Sequence, residues 1–320
     1  MILVVTNRRD HTADFGVVEM QRRGVPYFRF NTEDFPHATR TSLRFNSEGI
    51  SGDLVTTKGT VRLEDIHSVW FRRPLMPTPA HEIVEPGARR FSCAESLEYI
   101  EGLWKTMDCF WVSRPDRIRV AESKLLQLKL AQQLGFSIPS TLVTSDPSRA
   151  REFLAATDKV VYKPLTQGRV EYQQQTMLLF TNVVRDIQAS QLERVKYAPC
   201  IFQEYVHKRF DLRVTVFGAE VFATEIHSQA TDDARDDWRR AGARALPHRA
   251  HALPEDVEAR CVQLVKTLGL AFGAIDMVLT PRGQYVFLEI NPNGQWAWIE
   301  QRTGQPMSRS LVDLLLDGRR

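Results

Sequence analysis

Residues Ala271 to Trp296 read AFGAIDMVLTPRGQYVFLEINPNGQW, two apolar runs joined by Pro281-Arg282-Gly283. Short runs rich in β-branched and aromatic residues around such a break predict a hairpin. Centred between Arg282 and Gly283, that hairpin sets Asp276 opposite Glu289. Side chains alternate along a strand, so Asn291 shares the face of Glu289. Two carboxylates and an amide oxygen then converge. Hard oxygen donors on a rigid strand pair suit Mg²⁺, which keeps several waters and binds substrate phosphates. The stretch points to an enzyme of nucleoside triphosphates. The plain alternative is a solvated hairpin with scattered acids.

The bulk properties agree with a soluble globular protein of two or three domains. The chain has 320 residues, 43% hydrophobic and 25% charged. A net charge of +3 is too small to argue for nucleic-acid binding. Cys93, Cys109, Cys200 and Cys261 show no Cys-x-x-Cys spacing and read as reduced thiols of a cytoplasmic protein. No apolar run reaches the length needed to cross a bilayer, and the N-terminus lacks a basic leader.

Upstream of the hairpin, Ile2–Thr6, Asp14–Arg23 and Val25–Phe30 form a β-α-β pattern without G-x-G-x-x-G, so no dinucleotide site is expected. A hairpin around Gly49 and Gly52, a strand Ser68–Phe71, a Pro-rich loop and a helix Glu95–Phe110 follow. Ser113–Asp116 reads as a boundary. Beyond it come a helix Ala121–Leu134, a strand Thr141–Thr144 and a helix Pro147–Ala156 with Asp146 as N-cap. Strands are expected at Val160–Leu165, Met177–Phe180, Ile201–Val206, Leu212–Phe217 and Val221–Ile226. Thr231–Arg249 reads as a charged loop. Helices Pro254–Leu268 and Ser308–Leu316 complete the chain.

Several residues in these elements carry chemistry. Lys163 lies in an apolar strand, where its charge needs a partner such as phosphate; an edge strand with Lys163 in water is equally open. Gln203, Glu204, Tyr205 and Val206 end one strand, and Asp211 and Arg213 share a face of the next. An arginine there can grip phosphate or carboxylate through two bonds, or serve a structural pair. Lys124 opens a helix and by itself is an ordinary surface lysine. Gly168 is a weak signal for a phosphate loop. Asp237-Trp238-Arg239 fits either a substrate contact or an exposed loop, and His227 either an acid–base group or a satisfied strand-end histidine.

Taken in order, Lys124, Lys163, the strand end 203–206, Asp211-Leu212-Arg213, Asp276 and Glu289-Ile290-Asn291 resemble the ATP-grasp ligases. The order implies an α+β ATP-grasp fold, two α+β lobes clamping ATP, preceded by an N-terminal α/β pre-ATP-grasp domain. Divisions at 1–114, 115–202 and 203–320 follow from it. The resemblance implies ATP and Mg²⁺ as cofactors: Lys124 and Lys163 on the phosphates, Gln203 to Val206 on adenine, Asp211 on ribose or orienting Arg213, and Asp276, Glu289 and Asn291 on the metal.

Further stretches are similar to the microviridin-type graspetide ligases. They are Ser68-Val69-Trp70-Phe71-Arg72-Arg73-Pro74, Ala121-Glu122-Ser123-Lys124-Leu125-Leu126-Gln127-Leu128, Pro139–Thr144, Val161-Tyr162-Lys163-Pro164, His227-Ser228-Gln229, Asp237-Trp238-Arg239 and Asn291–Trp296. That resemblance implies a macrocyclase whose partner is a ribosomal precursor peptide, leader and core, and it is compatible with a homodimer. It makes Arg213 and Arg239 candidate holders of the acceptor carboxylate or its acyl phosphate. Leader contacts are expected from the N-terminal domain and Thr231–Arg249. Two rivals stand beside it: an ATP-grasp ligase of a small amino-acid, peptide or glutathione-type substrate, and a nucleotide-binding protein that recognises a peptide without catalysis.

Overall fold

The computed structural model of the chain describes residues 1–56, 59–166, 168–172, 175–178, 181–184, 189–241 and 246–318. The hairpin forms from Phe272–Leu279 and Tyr285–Asn291, with Asp276 paired to Glu289 and Ala274 to Asn291. Nearer the turn the pairing differs by one: Met277 faces Phe287 and Leu279 faces Tyr285. The turn therefore centres on Arg282, followed by Gly283 at φ 80°, and a β-bulge takes up the extra residue, Leu288. Strand alternation alone would give Glu289 the face of Phe287, which is fully buried in the core. The bulge instead turns Glu289 to the face of Asp276.

This hairpin is one side of a five-stranded antiparallel sheet. Its order is His248–His251, Glu220–Ile226, Phe210–Phe217, Phe272–Leu279, Tyr285–Asn291. Leu212, Val214, Ile275, Met277 and Phe287 pack on one face against Cys261, Leu264 and Val265 of the helix Glu255–Thr267. That helix is favoured by acids in its first turn and stopped at Gly269, whose φ of 70° suits glycine. The helix Lys124–Gln133, expected to begin at Ala121, and a short helix Pro115–Ala121 where a boundary was expected add Ala131, Ile118 and Ala121 to the same core.

A second antiparallel sheet, Asn182–Val183, Val160–Lys163, Cys200–Glu204 and Thr141–Thr144, forms the central lobe. The helix Pro147–Ala156 covers it, and Asp146 accepts from the Ser148 N–H at 2.8 Å, the predicted cap. The strand Cys200–Glu204 runs across the expected division after residue 202. A separate hairpin, Arg169–Tyr172 with Gln175–Leu178, stands where one strand Met177–Phe180 is expected; Leu179 and Phe180 lie outside the described residues.

The N-terminal domain is a parallel sheet ordered Tyr27–Asn31, Ile2–Thr6, Ser68–Phe71, Phe110–Val112. A small antiparallel sheet, Arg40–Asn46, Gly49–Thr56 and Gly59–Arg62, stands beside it. Its long helix is Pro86–Thr106, earlier than expected, because Pro86 takes the first helical position behind the Glu85 cap and Phe110 is drawn into a strand. Ile2, Val4, Met20 and Trp70 of this domain share one core with Phe217, Phe272, Trp296 and Leu311. They cover the lower part of the sheet face that carries Arg213 and Asp276.

The charged segment after Thr231, expected as a loop, holds short 3-10 turns and the edge strand His248–His251; residues 242–245 lie outside the described part. Two C-terminal helices, Ala297–Thr303 and Met307–Asp317, follow the hairpin. Among the described residues no helix is long and apolar enough to cross a membrane.

Candidate active site

A cleft of about 540 Å³ opens over the polar end of the five-stranded sheet, lined by Lys124, Lys163, Asp211, Arg239, Asp276, Glu289 and Asn291 among others. Most of the residues singled out from sequence are therefore brought together. Asp276 faces Arg213, whose Nη1 lies 2.8 Å from both carboxylate oxygens. Glu289 pairs with Lys124 Nζ at 3.3 Å and with Arg239 Nη1 at 3.8 Å. Asn291 Oδ1 accepts the Asn293 N–H at 3.0 Å, which fixes the loop beyond the strand.

The two carboxylates differ in their electrostatics. Burial raises Asp276 above the ordinary aspartate value, against the pull of Arg213, and the charge of Glu289 adds to the rise. Burial also acts on Glu289, but Lys124, Arg239 and Lys163 together outweigh it and hold this group low. A half-buried carboxylate pair with one member pushed up is a donor set that a divalent cation would relieve. Among the described residues no group of three or more His, Cys, Asp or Glu could hold a metal. Two carboxylates and an amide fit Mg²⁺ all the same, since that ion takes few protein ligands beside waters and phosphate.

Lys124 is the first residue of its helix and also donates to the Pro164 carbonyl at 3.1 Å. Lys163 ends the strand Val160–Lys163, and its Nζ donates to Gln203 Oε1 at 2.7 Å. Burial lowers Lys163 to about 8, against the attraction of Glu289. Gln203 is 2% exposed, and its amide also donates to Thr141 Oγ1 at 2.9 Å. Its side chain is thus committed to holding Lys163. The Glu204 N–H donates to the Ser140 carbonyl and the Tyr205 N–H to the Lys159 carbonyl, each at 2.8 Å. Lys159 Nζ also sits 3.4 Å from the Tyr205 ring centre. None of Gln203, Glu204, Tyr205 and Val206 lines the cleft volume.

Asp211 accepts from Lys208 Nζ at 2.8 Å and from the Ser228 hydroxyl; burial raises its pKa against Lys208. Arg239 grips Asp237 through two bonds, 2.8 and 2.7 Å. Asp237 also accepts the Thr181 N–H at 3.2 Å, so this loop is fastened to the central lobe. Burial works against the Arg239 charge, but Asp237 and Glu289 raise its pKa overall. Arg213 is 6% exposed and is not a lining residue. His227 turns to Glu225 at 2.9 Å, and Gly168, at φ 67°, opens the central-lobe hairpin.

Two supports escaped the sequence reading as site residues. Gln127, 3% exposed, donates to the carbonyls of Ala121 and Ile290 at 2.6 and 2.9 Å and accepts the Ile290 N–H at 3.1 Å. Ile290 lies between Glu289 and Asn291, so Gln127 fixes both. A glutamine on the inward face of an apolar helix was the available signal. Arg72, 1% exposed, pairs with Asp10 at 3.0 Å and donates to the Gly294 carbonyl at 2.9 Å. Burial lowers Arg72 to about 10, against the attraction of Asp10.

Comparison with known proteins identifies the fold. Residues 1–119 match the family model of the MvdD pre-ATP grasp domain, and residues 121–315 match that of the RimK-like ATP-grasp domain. A Chryseobacterium gregarium RiPP-associated ATP-grasp ligase, solved with ADP and a leader and core peptide, is 31% identical at a TM-score of 0.92. The alignment covers 99% of this chain and 96% of that one. The macrocyclase MdnC of Microcystis aeruginosa MRC, bound with precursor peptide MdnA, is 28% identical at a TM-score of 0.86, covering 99% of both chains. MdnB of the same organism is 29% identical at 0.81, covering 98% of both. No curated protein matches. The two family matches adjoin, and both lysines, Arg239 and the carboxylate pair fall in the second; the chain belongs to the ATP-grasp ligases that carry an MvdD-type N-terminal domain, and it is an ATP-dependent ligase.

Proposed function

We propose that this ligase closes rings in a ribosomally made precursor peptide. An Asp or Glu side chain of the peptide attacks the γ-phosphorus of ATP, forming an acyl phosphate and releasing ADP. A Ser or Thr hydroxyl, or a Lys amine, of the same peptide then attacks the acyl carbon. Phosphate leaves, the nucleophile loses its proton, and an ω-ester or ω-amide closes the ring. The observation that carries this reading is the 31% identity, over 99% of the chain, to a RiPP ligase bound to ADP and a leader and core peptide.

In this reading Lys124 and Lys163 neutralise charge that spreads over the phosphate oxygens. Gln203 keeps Lys163 aimed and desolvated, and a pKa near 8 leaves it charged at neutral pH. Asp276, Glu289 and Asn291 would hold Mg²⁺, which when bound supplies further charge neutralisation at the phosphates. Arg213 orients Asp276, and Arg239, braced by Asp237, stabilises the acyl phosphate. The strand end Gln203 to Val206 takes adenine through backbone groups, and Asp211 takes ribose. A cytoplasmic homodimer completes the reading, and light scattering measures the dimer.

Incubation with ATP, Mg²⁺ and a Thr/Ser- and Glu/Asp-rich peptide encoded beside the gene tests it. The expected product has lost the mass of one water per ring, with one ADP per ring. ADP formed with free amino acids, and no mass loss from the peptide, would favour a small-substrate ligase instead.

A further inference from the structure

Arg73 is the one non-glycine residue with a positive φ among the described residues, at 45°. A side chain in that region is crowded by its own backbone and persists only where the surroundings impose it. The surroundings here are explicit. The Asn7 amide donates to the Arg73 carbonyl at 2.7 Å, and Asn7 is itself held by the Arg9 N–H at 2.9 Å. The preceding residue, Arg72, is locked to Asp10 and to the Gly294 carbonyl. Two residues on, the Leu75 carbonyl accepts the Thr32 hydroxyl at 2.6 Å. The backbone is thus bound on both sides of a strained residue whose side chain is exposed and lines the ATP cleft.

The ion pairs of the cleft narrow what that side chain is for. Lys124 is paired with Glu289, Lys208 with Asp211, and Arg239 with Asp237 and Glu289. Arg213 is buried against Asp276. Lys163 is held by a neutral amide and is assigned to phosphate. Arg73 is the remaining cation of the cleft lining, in no ion pair among the described residues. It comes from the N-terminal domain, on the side where Arg72 meets the loop after Asn291.

We infer that Arg73 is the anchor for the substrate carboxylate that becomes the acyl phosphate, held in a strained backbone by Asn7 so that its fork enters the cleft. A planar carboxylate accepts two parallel bonds from a guanidinium, which a lysine at this place would not supply. The inference rests on the ligase reading for the existence of that carboxylate, and it assigns the contact to a residue outside the ATP-grasp domain.

The test uses Arg73→Gly, which removes the guanidinium and relieves the positive φ, beside Arg73→Lys, which keeps the charge. With the peptide encoded beside the gene, both variants are expected to raise peptide KM at least tenfold and leave ATP KM within twofold. Arg73→Gly is expected to keep or raise the melting temperature. A residue with a merely structural role would lower it. Binding of acetonylphosphonate, an acyl-phosphate mimic, to the ADP-loaded enzyme provides a readout independent of turnover and is expected to weaken at least tenfold in Arg73→Gly. Unchanged mimic affinity, or unchanged peptide KM, overturns the assignment. Failure of the ligase reading shows separately, as no ring product from the unaltered enzyme, and the mimic still decides Arg73.

Discussion

Arg213 and Asp276 face each other on adjacent antiparallel strands, and a single guanidinium nitrogen lies 2.8 Å from each oxygen of the carboxylate. Both side chains are largely shielded, at 7% and 16% exposure. Removing one partner leaves the other charge buried and alone. Arg213→Met is expected to lower unfolding free energy by about 3–5 kcal/mol in urea melts. Adding Asp276→Asn should restore more than half of that loss. Additive losses in the double variant would show that the pair does not act as a unit.

Glu289 gathers Lys124, Arg239 and Lys163 around one carboxylate. Glu289→Gln keeps the shape and removes the charge. ADP formation is expected to fall by about 10²–10³, the scale for loss of one preorganised electrostatic group. The Mg²⁺ concentration for half-maximal rate should rise with it. Unchanged Mg²⁺ dependence would remove Glu289 from the metal site. Chelation with EDTA should abolish ADP formation in the unaltered enzyme.

Lys163 gives a pH signature. Its folded value is about 8, below the ordinary 10.5, because burial opposes the charge. As pH rises past 8 the free enzyme loses this charge, so kcat/KM for ATP should decline there, as a pH–rate profile would show. Stability moves the other way. Between about 8 and 10.5 the unfolded chain binds the proton that the folded chain has released, so this group's contribution to stability rises with pH across that window. A kcat/KM that stays flat to pH 9.5 would contradict the assignment of Lys163 to phosphate.

Gln127 makes two hydrogen bonds to the Ile290 backbone and a third to the Ala121 carbonyl. Gln127→Ala leaves buried carbonyl and N–H groups without partners and is expected to cost about 1–3 kcal/mol in stability. Because Glu289 and Asn291 flank Ile290, Mg²⁺ affinity should fall as well. Gln127→Glu, which keeps one acceptor, should recover part of the metal affinity. A variant that loses stability but keeps its Mg²⁺ titration would limit Gln127 to a structural role.

The pairing of Asp276 with Glu289 was legible because hairpin arithmetic and strand alternation are local rules. The arithmetic placed the turn half a residue late, and the Leu288 bulge made the distal pairing come out as expected. The cap at Asp146 was legible for the same local reason. The strand His248–His251 and the hydrogen bond from Lys163 to the Gln203 side chain were not, since both depend on which strands lie side by side. Arg72 directly follows the strand Ser68–Phe71, at a place where a charge is ordinarily exposed. Its burial follows from contact with Gly294, 222 residues away, which no window of sequence reports.

That contact bears on how such enzymes diversify. Arg72 and Trp70 reach from the front domain into the loop and the tryptophan that follow the carboxylate pair, and the shared core runs across the joint between the two family matches. The halves look modular on paper but are not interchangeable parts. Grafting a front domain from a relative would exchange half of one hydrophobic core and the clasp on the metal loop in the same step. New peptide preferences are therefore expected to arise by drift in the surface loops, such as the one between Pro74 and Pro86, rather than by recombination of whole domains.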